Sequence, residues 1–163
     1  MIFVPMLQAS CLNSERSVPS MNKASFEEVL AERGELIYTH VGDSMAPLIQ
    51  PRDLLIIKPP AFPLKRLDIP LYKRDNGQYV LHRIIKIKGH DFVICGDNRA
   101  TKEYGISDRH VIGVLTSIVR NGKQFSVYDL KHRIYAHLWC DLYLLRKIII
   151  KMRNIVRRYV IRK

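Results

Sequence analysis

The sequence predicts a mainly β fold: a compact antiparallel, β-barrel-like domain, with a short N-terminal helix before it and a basic amphipathic C-terminal helix after it. Two observations carry this. Short runs rich in Val, Ile, Leu and Tyr recur from residue 36 to residue 129, divided by turn chemistry such as Asp75-Asn76-Gly77, Lys88-Gly89-His90 and Asn121-Gly122. No long helical pattern alternates with those runs, so a doubly wound parallel sheet does not fit.

Residues 1–22 read as a disordered extension. Their opening, MIFVPML, is too short for a bilayer span and lacks both a basic leader region and a small-residue cleavage site. The β domain is expected over residues 23–130. It starts with a helix that has Ser25 as N-cap, Glu28 three residues on to close a capping box, and Gly34 as its stop, with Phe26, Val29 and Leu30 on one face. Strand-like runs follow at 36–41, 53–58, 68–73, 78–88, 91–95, 111–119 and 124–129.

From 131 to 163 the periodicity changes. Leu138, Leu142, Leu145, Ile149, Met152, Val156 and Tyr159 recur at helical spacing, widened by Ile148 and Ile155, with most of the bases on the other side. This apolar stripe either docks on the β domain or a second copy, or lies in a membrane interface with its cations toward anionic headgroups. Trp139 and Tyr143 near its start suit an interface.

The net charge of +12 is unevenly placed. Arg146, Lys147, Lys151, Arg153, Arg157, Arg158, Arg162 and Lys163 put +8 into the tail, leaving 19 bases against 15 acids elsewhere. A nucleic-acid role is not expected. The tail's bases share their helix with an apolar stripe that duplex DNA would leave exposed, and one short helix before residue 36 is too little for a helix-turn-helix. Cys11, Cys95 and Cys140 form no close pair, so neither a disulfide framework nor a zinc site is indicated, and Cys95 reads as a small buried hydrophobe. No metal or cofactor is implied.

Ser44, in Val41-Gly-Asp-Ser-Met-Ala-Pro-Leu48, follows a strand-like run. On its own it reads equally as a hydroxyl in a turn. A nucleophilic serine needs a base, a group to orient that base, and donors for an oxyanion. His82 offers the base, since alternation along 78–88 puts it on one face with Val80 and Ile84. His40 abuts the serine turn and is an alternative. His90 and His110 read as loop positions, and His132 and His137 are poorly spaced for a metal pair. Asp97, in Gly96-Asp97-Asn98, reads either as an Asx turn or as a carboxylate that fixes the His82 tautomer, and Glu103 is a second candidate for that role.

Taken in order, these stretches carry a resemblance. They are Ser44-Met45-x-Pro47-Leu48, Asp53 with its apolar run, Leu67-Asp-Ile-Pro-Leu-Tyr72, Tyr79-Val-Leu-His-Arg-Ile84, Gly96-Asp97-Asn98 and Val111-Ile-Gly-Val114. Together, over residues 36 to 120, they resemble the type I signal peptidase superfamily, which also includes the self-cleaving SOS-repressor proteins. His82 stands where the bacterial enzymes and repressors have lysine, as in the histidine-type form of archaea and the endoplasmic reticulum.

The resemblance implies a serine endopeptidase that cuts a peptide or protein precursor, with Ser44 as nucleophile and His82 as general base. It puts Glu103 at the position of the third group, where aspartate is usual, with Asp97 in reserve. It implies an extended peptide substrate bound along a β edge, small residues beside the cut, and an oxyanion site from the backbone of the 41–45 turn, around Asp43, Ser44 and Met45. Met45 and Pro47 become scaffolding, and Asp53 and Asp68 tie loops. Arg52 replaces the usual glycine before Asp53, which predicts a slightly different turn. With no N-terminal membrane anchor in the sequence, residues 138–163 are expected to act as a peripheral anchor on an anionic membrane, on the cytoplasmic side. A peptide-binding module without catalysis, or a repressor-like regulator, would share the fold.

Overall fold

The computed structural model describes residues 25–142, 146 and 148–152. The extension expected at 1–22 and the tail beyond Met152 lie outside them. The fold is mainly β, with a short helix at its start and a helix at its end.

Helix α1 (Phe26–Arg33) is fixed at both ends by its sequence. Ser25 and Glu28 form the reciprocal capping box, and Gly34 closes the helix in the left-handed conformation at φ 71°. Phe26 then packs against Tyr38 and Tyr79, with ring centroids 5.6 and 4.8 Å away.

The strands are β1 (Leu36–Thr39), β2 (Leu54–Lys58), β3 (Pro70–Lys73), β4 (Tyr79–Leu81), β5 (Arg83–Lys88), β6 (Asp91–Cys95), β7 (Glu103–Ser107), β8 (Val111–Arg120) and β9 (Lys123–Ser126). A six-stranded sheet runs in the order β1-β2-β8-β3-β4, with β9 also on β8, and it curls into an antiparallel half-barrel. A second sheet has the order β5-β6-β7. Strand β8 is the spine: β2 lies along one edge, and β3 and β9 share the other. Leu30, Met45, Ile49, Leu55, Ile57, Ile69, Leu71, Leu115 and Ile118 fill the half-barrel. Ile84, Phe92, Ile94, Ile106 and Tyr72 fill the space between the sheets.

Two sequence expectations need correction. The run 78–88 is not one strand. It breaks at His82, where the chain leaves the six-stranded sheet after Leu81 and enters the three-stranded sheet at Arg83. The break follows from Arg83, a base in an apolar run, whose side chain turns inward to a buried carboxylate, Asp97, at 2.8 and 2.9 Å. Strand β7 was not anticipated, because Glu-Tyr-Gly-Ile-Ser has no clear alternation and Gly105 sits in it at φ 77°.

Helix α2 (Leu130–Asp141) is followed by the helical residues 146 and 148–152, and the two placements open to the apolar stripe can be told apart there. Over these residues the expected stripe does not dock on the β domain: Leu138, Leu142, Ile148, Ile149 and Met152 are 42–61% exposed. The helix docks instead through Tyr135, Ala136, Trp139, Arg146 and Ile150, and His132 stacks on Phe125 at 4.7 Å. Arg146, one of the tail's bases, is 1% exposed. The reason is polar: indole and guanidinium donors find backbone carbonyls of the 95–99 segment, which leucines cannot serve. No described helix is long and apolar enough to cross a membrane.

Packing is close at Gly113, where β8 lies against β2 and Leu30 of α1. A Cβ there would lie 2.5 Å from Ile57 Cγ2 and 3.0 Å from the Lys58 carbonyl oxygen. Gly113→Ala is expected to destabilise the fold by about 1–3 kcal/mol through overpacking, read as a lower denaturant midpoint at unchanged slope. A midpoint equal to wild type would show that the sheet gives way at no cost.

Candidate active site

Ser44 sits in a turn after β1 whose neighbours hold it still. Met45 and Ile49 are both fully buried, and the Ile49 N–H donates to the Met45 carbonyl at 3.0 Å. The far end is pinned by Asp53, which accepts from the Gln50 N–H at 2.7 Å and from the Arg120 guanidinium at 2.6 and 2.9 Å. Asp68 closes its own turn by accepting from the Lys65 N–H at 2.7 Å. Arg52 adopts φ 73°, the left-handed conformation glycine favours, at a cost of roughly 1–2 kcal/mol for a side-chain-bearing residue.

The segment after β6 seals the turn from above. The Asn98 N–H donates to the Ser44 carbonyl at 2.7 Å, and Asn98 Nδ2 donates to the Asp43 carbonyl at 2.9 Å. Arg99 donates to Asp43 Oδ1 at 2.7 Å. Gly96 is the contact point. A Cβ at Gly96 would lie 2.7 Å from the Ser44 carbonyl oxygen and 2.9 Å from His82 Nε2, so a glycine is required for the two to approach. No hydrogen bond joins the Ser44 hydroxyl to His82 among the described residues. The Ser44 and Met45 N–H groups likewise meet no protein acceptor there.

His82, at the corner between the sheets, is half-buried. Its Nδ1 lies 3.5 Å from the Tyr72 hydroxyl, which donates to Glu103 Oε2 at 2.8 Å. Arg74 grips the same carboxylate at 2.6 and 2.7 Å. Glu103 is therefore joined to His82 through a tyrosine rather than directly. Asp97, the other candidate, is committed elsewhere. It is completely buried, accepts both arms of Arg83, and takes the Tyr135 hydroxyl at 3.2 Å.

The electrostatics follow these contacts. Burial pushes the His82 imidazole down to about 4, against a raising effect of Glu103 and lowering effects of Arg74 and Arg99. Burial alone would raise Glu103, but hydrogen bonds from Arg74 and Tyr72 override it and hold the carboxyl below its usual range. Burial, with Glu103 alongside, pushes the Tyr72 phenol up, so it stays a donor.

Ser44, His82, His40, Asp43, Arg74 and Arg99 line one cleft of about 600 Å³, with Phe26, Tyr38, Leu71, Tyr79 and Leu81 as its apolar wall. Strands β1 and β4, two of the terminal strands of the half-barrel, flank it. The fold thus gathers Ser44, His82, Asp43 and Glu103 in one region, and assigns Asp97 to a buried ion pair. Sequence reasoning missed Arg74, and it quoted Tyr72, Gly96 and Asn98 in motifs without the contacts they make. Tyr72 stood in a quoted stretch, but nothing local marked its hydroxyl as a bridge. Among the described residues no group of three His, Cys, Asp or Glu side chains is placed to hold a metal ion. Compared with known proteins, the chain matches no family model and no curated sequence.

The His82 environment makes a pH prediction. Its folded pKa of about 4 lies below the ordinary 6.5, so between those values the unfolded chain binds a proton that the folded chain refuses. Stability from this group is complete above about pH 6.5 and falls as pH drops toward 4. His40 and His132, lowered first by burial, act in the same direction. Denaturant titrations at several pH values should show a shallower acid-side loss for His82→Gln than for wild type. Parallel curves would mean that His82 titrates normally.

Proposed function

We propose that this chain is a serine endopeptidase that cuts a peptide or protein precursor, with Ser44 as nucleophile and His82 as general base. One observation carries the reading: the Ser44 backbone carbonyl and the His82 ring both close on Gly96, and the two residues line one cleft bordered by the unpaired edges of β1 and β4. An extended peptide would add to such an edge by main-chain hydrogen bonds, its side chains reaching the aromatic wall of Phe26, Tyr38 and Tyr79.

The chemistry follows from the groups present. Ser44 Oγ attacks the scissile carbonyl while His82 Nε2 takes its proton; catalytic contacts of this kind tighten only once substrate is bound. The oxyanion is received by the Ser44 and Met45 N–H groups. His82 then gives its proton to the leaving amine, and water, activated by the same imidazole, releases the acyl group. Glu103, held ionised by Arg74, stabilises the imidazolium through Tyr72. An imidazole lowered to about 4 is neutral, and so able to accept a proton, throughout the neutral range.

The outward stripe of α2 and the residues after it supports a peripheral membrane site. Leu138, Leu142, Ile148, Ile149 and Met152 face away from the body, and Lys131, Arg133 and Lys151 are exposed bases in the same region. On an anionic surface the apolar side chains enter the acyl boundary and each nearby cation adds about 1 kcal/mol.

Two measurements test these readings. Incubated with the proteome of its own source, the wild-type protein should create new N-termini, and Ser44→Ala and His82→Ala should each lower their formation by on the order of 10⁴-fold while remaining folded. Cleavage by Ser44→Ala at the wild-type rate would sink the enzyme reading. In flotation with phosphatidylserine-containing liposomes, Leu138→Glu with Ile149→Glu should shift the protein from the floating to the soluble fraction. Unchanged flotation would remove the anchor.

A further inference from the structure

The 96–99 segment is held from two sides. Toward the cleft it carries the contacts with Ser44, Asp43 and His82 described above. Behind it stand three side chains from the C-terminal helical region. Trp139 Nε1 donates to the Asp97 carbonyl at 2.7 Å, and the Tyr135 hydroxyl donates to the Asp97 carboxylate at 3.2 Å. The Arg146 guanidinium donates to the Gly96 carbonyl, to the Arg99 carbonyl at 2.6 Å, and to the Cys95 thiol at 3.1 Å.

The carbonyls of Gly96, Asp97 and Arg99 are thereby tied to α2 and to Arg146 beyond its end. Holding a helix against a domain does not call for this. Apolar contacts would suffice, and a guanidinium 1% exposed is costly to desolvate. What the arrangement does fix is the path of the backbone that touches Ser44 on one side of Gly96–Arg99 and His82 at Gly96.

We propose that Trp139 and Arg146 are positioning residues of the active site, which set the 96–99 segment so that Ser44 and His82 face one another. This rests on the serine peptidase reading. Neither residue touches the cleft, and both act through the backbone they hold. Catalytic geometry is sensitive to such support, because a misplacement of about 1 Å costs roughly 100-fold in rate.

The test uses the full-length chain and needs no natural substrate. The rate of Ser44 labelling by a fluorophosphonate probe reports on the nucleophile and base. The His82 titration, followed by NMR, reports on its surroundings, which comprise Tyr72, Arg74, Asp97, Arg99 and Glu103. Trp139→Phe keeps the ring that stacks on Tyr135 and removes one donor. It should label Ser44 roughly 10- to 100-fold more slowly and move the His82 midpoint from about 4 back toward 6.5. Arg146→Met should act in the same direction, and Arg146→Lys should recover part of the rate, since an ammonium still donates to carbonyls. Gly113→Ala, whose added methyl meets Ile57, Lys58 and Leu30 rather than the 96–99 segment, controls for lost stability and should label at the wild-type rate where it is folded.

Wild-type labelling and an unchanged His82 midpoint in Trp139→Phe would overturn the proposal. If Arg146→Met does not fold, Trp139→Phe decides alone. If the wild-type chain is not labelled at Ser44, the peptidase reading falls. The His82 midpoint still judges the positioning role: a shift in Trp139→Phe beyond that of Gly113→Ala upholds it, and no shift overturns it.

Discussion

The buried pair of Arg83 and Asp97 is the interaction on which the arrangement depends. Arg83 is the residue after His82, and Asp97 the residue after Gly96, so joining the two side chains brings His82 and Gly96 together. Arg83 also donates to the Leu67 carbonyl at 3.0 Å, which ties the corner to the loop before β3. In so dry a setting the attraction is strong only because both charges are fully matched. Removing one partner leaves the other charged and unserved, at roughly 3–5 kcal/mol. The same pair explains why the chain turns from one sheet to the other at His82 rather than continuing straight.

Around that pair, two titrating groups sit in opposite environments a few ångströms apart. The imidazole of His82 is kept neutral by burial, while the carboxylate of Glu103 is kept charged by Arg74 and Tyr72. Separation of this kind by environment, not by residue type, is what lets one small site hold a proton acceptor and a fixed negative charge together.

Much of the fold was legible in the sequence because its signals are local. The Ser25–Glu28 box, Gly34, and the apolar runs that became β2, β6 and β8 each declare themselves within a few residues. The parts that escaped are set by partners distant along the chain. Nothing near Arg83 announces Asp97, and nothing near Tyr72 announces Glu103, thirty-one residues away. Periodicity placed His82 on a continuous strand face, whereas a long-range ion pair decided where the strand would stop. The helix misled for the same reason: its most regular apolar face is not the one that docks, because the binding face is written in Trp139 and Arg146, whose partners are main-chain carbonyls and leave no trace in composition. Of the candidate site, the Ser44 turn and His82 were readable; the bridge between His82 and Glu103 was not.

The two open strands that flank the cleft are also very brief, four residues in β1 and three in β4. A ladder that short blunts the hazard of uncovered sheet margins, since a neighbouring molecule gains too few rungs to zip on and propagate. It also means that any visiting segment is gripped over only about 10–13 Å of its length at the usual rise per residue. For the proposed peptide substrate, such a grip would favour quick release over tenacity, and would leave discrimination to the side chains that line the trough rather than to the backbone that borders it.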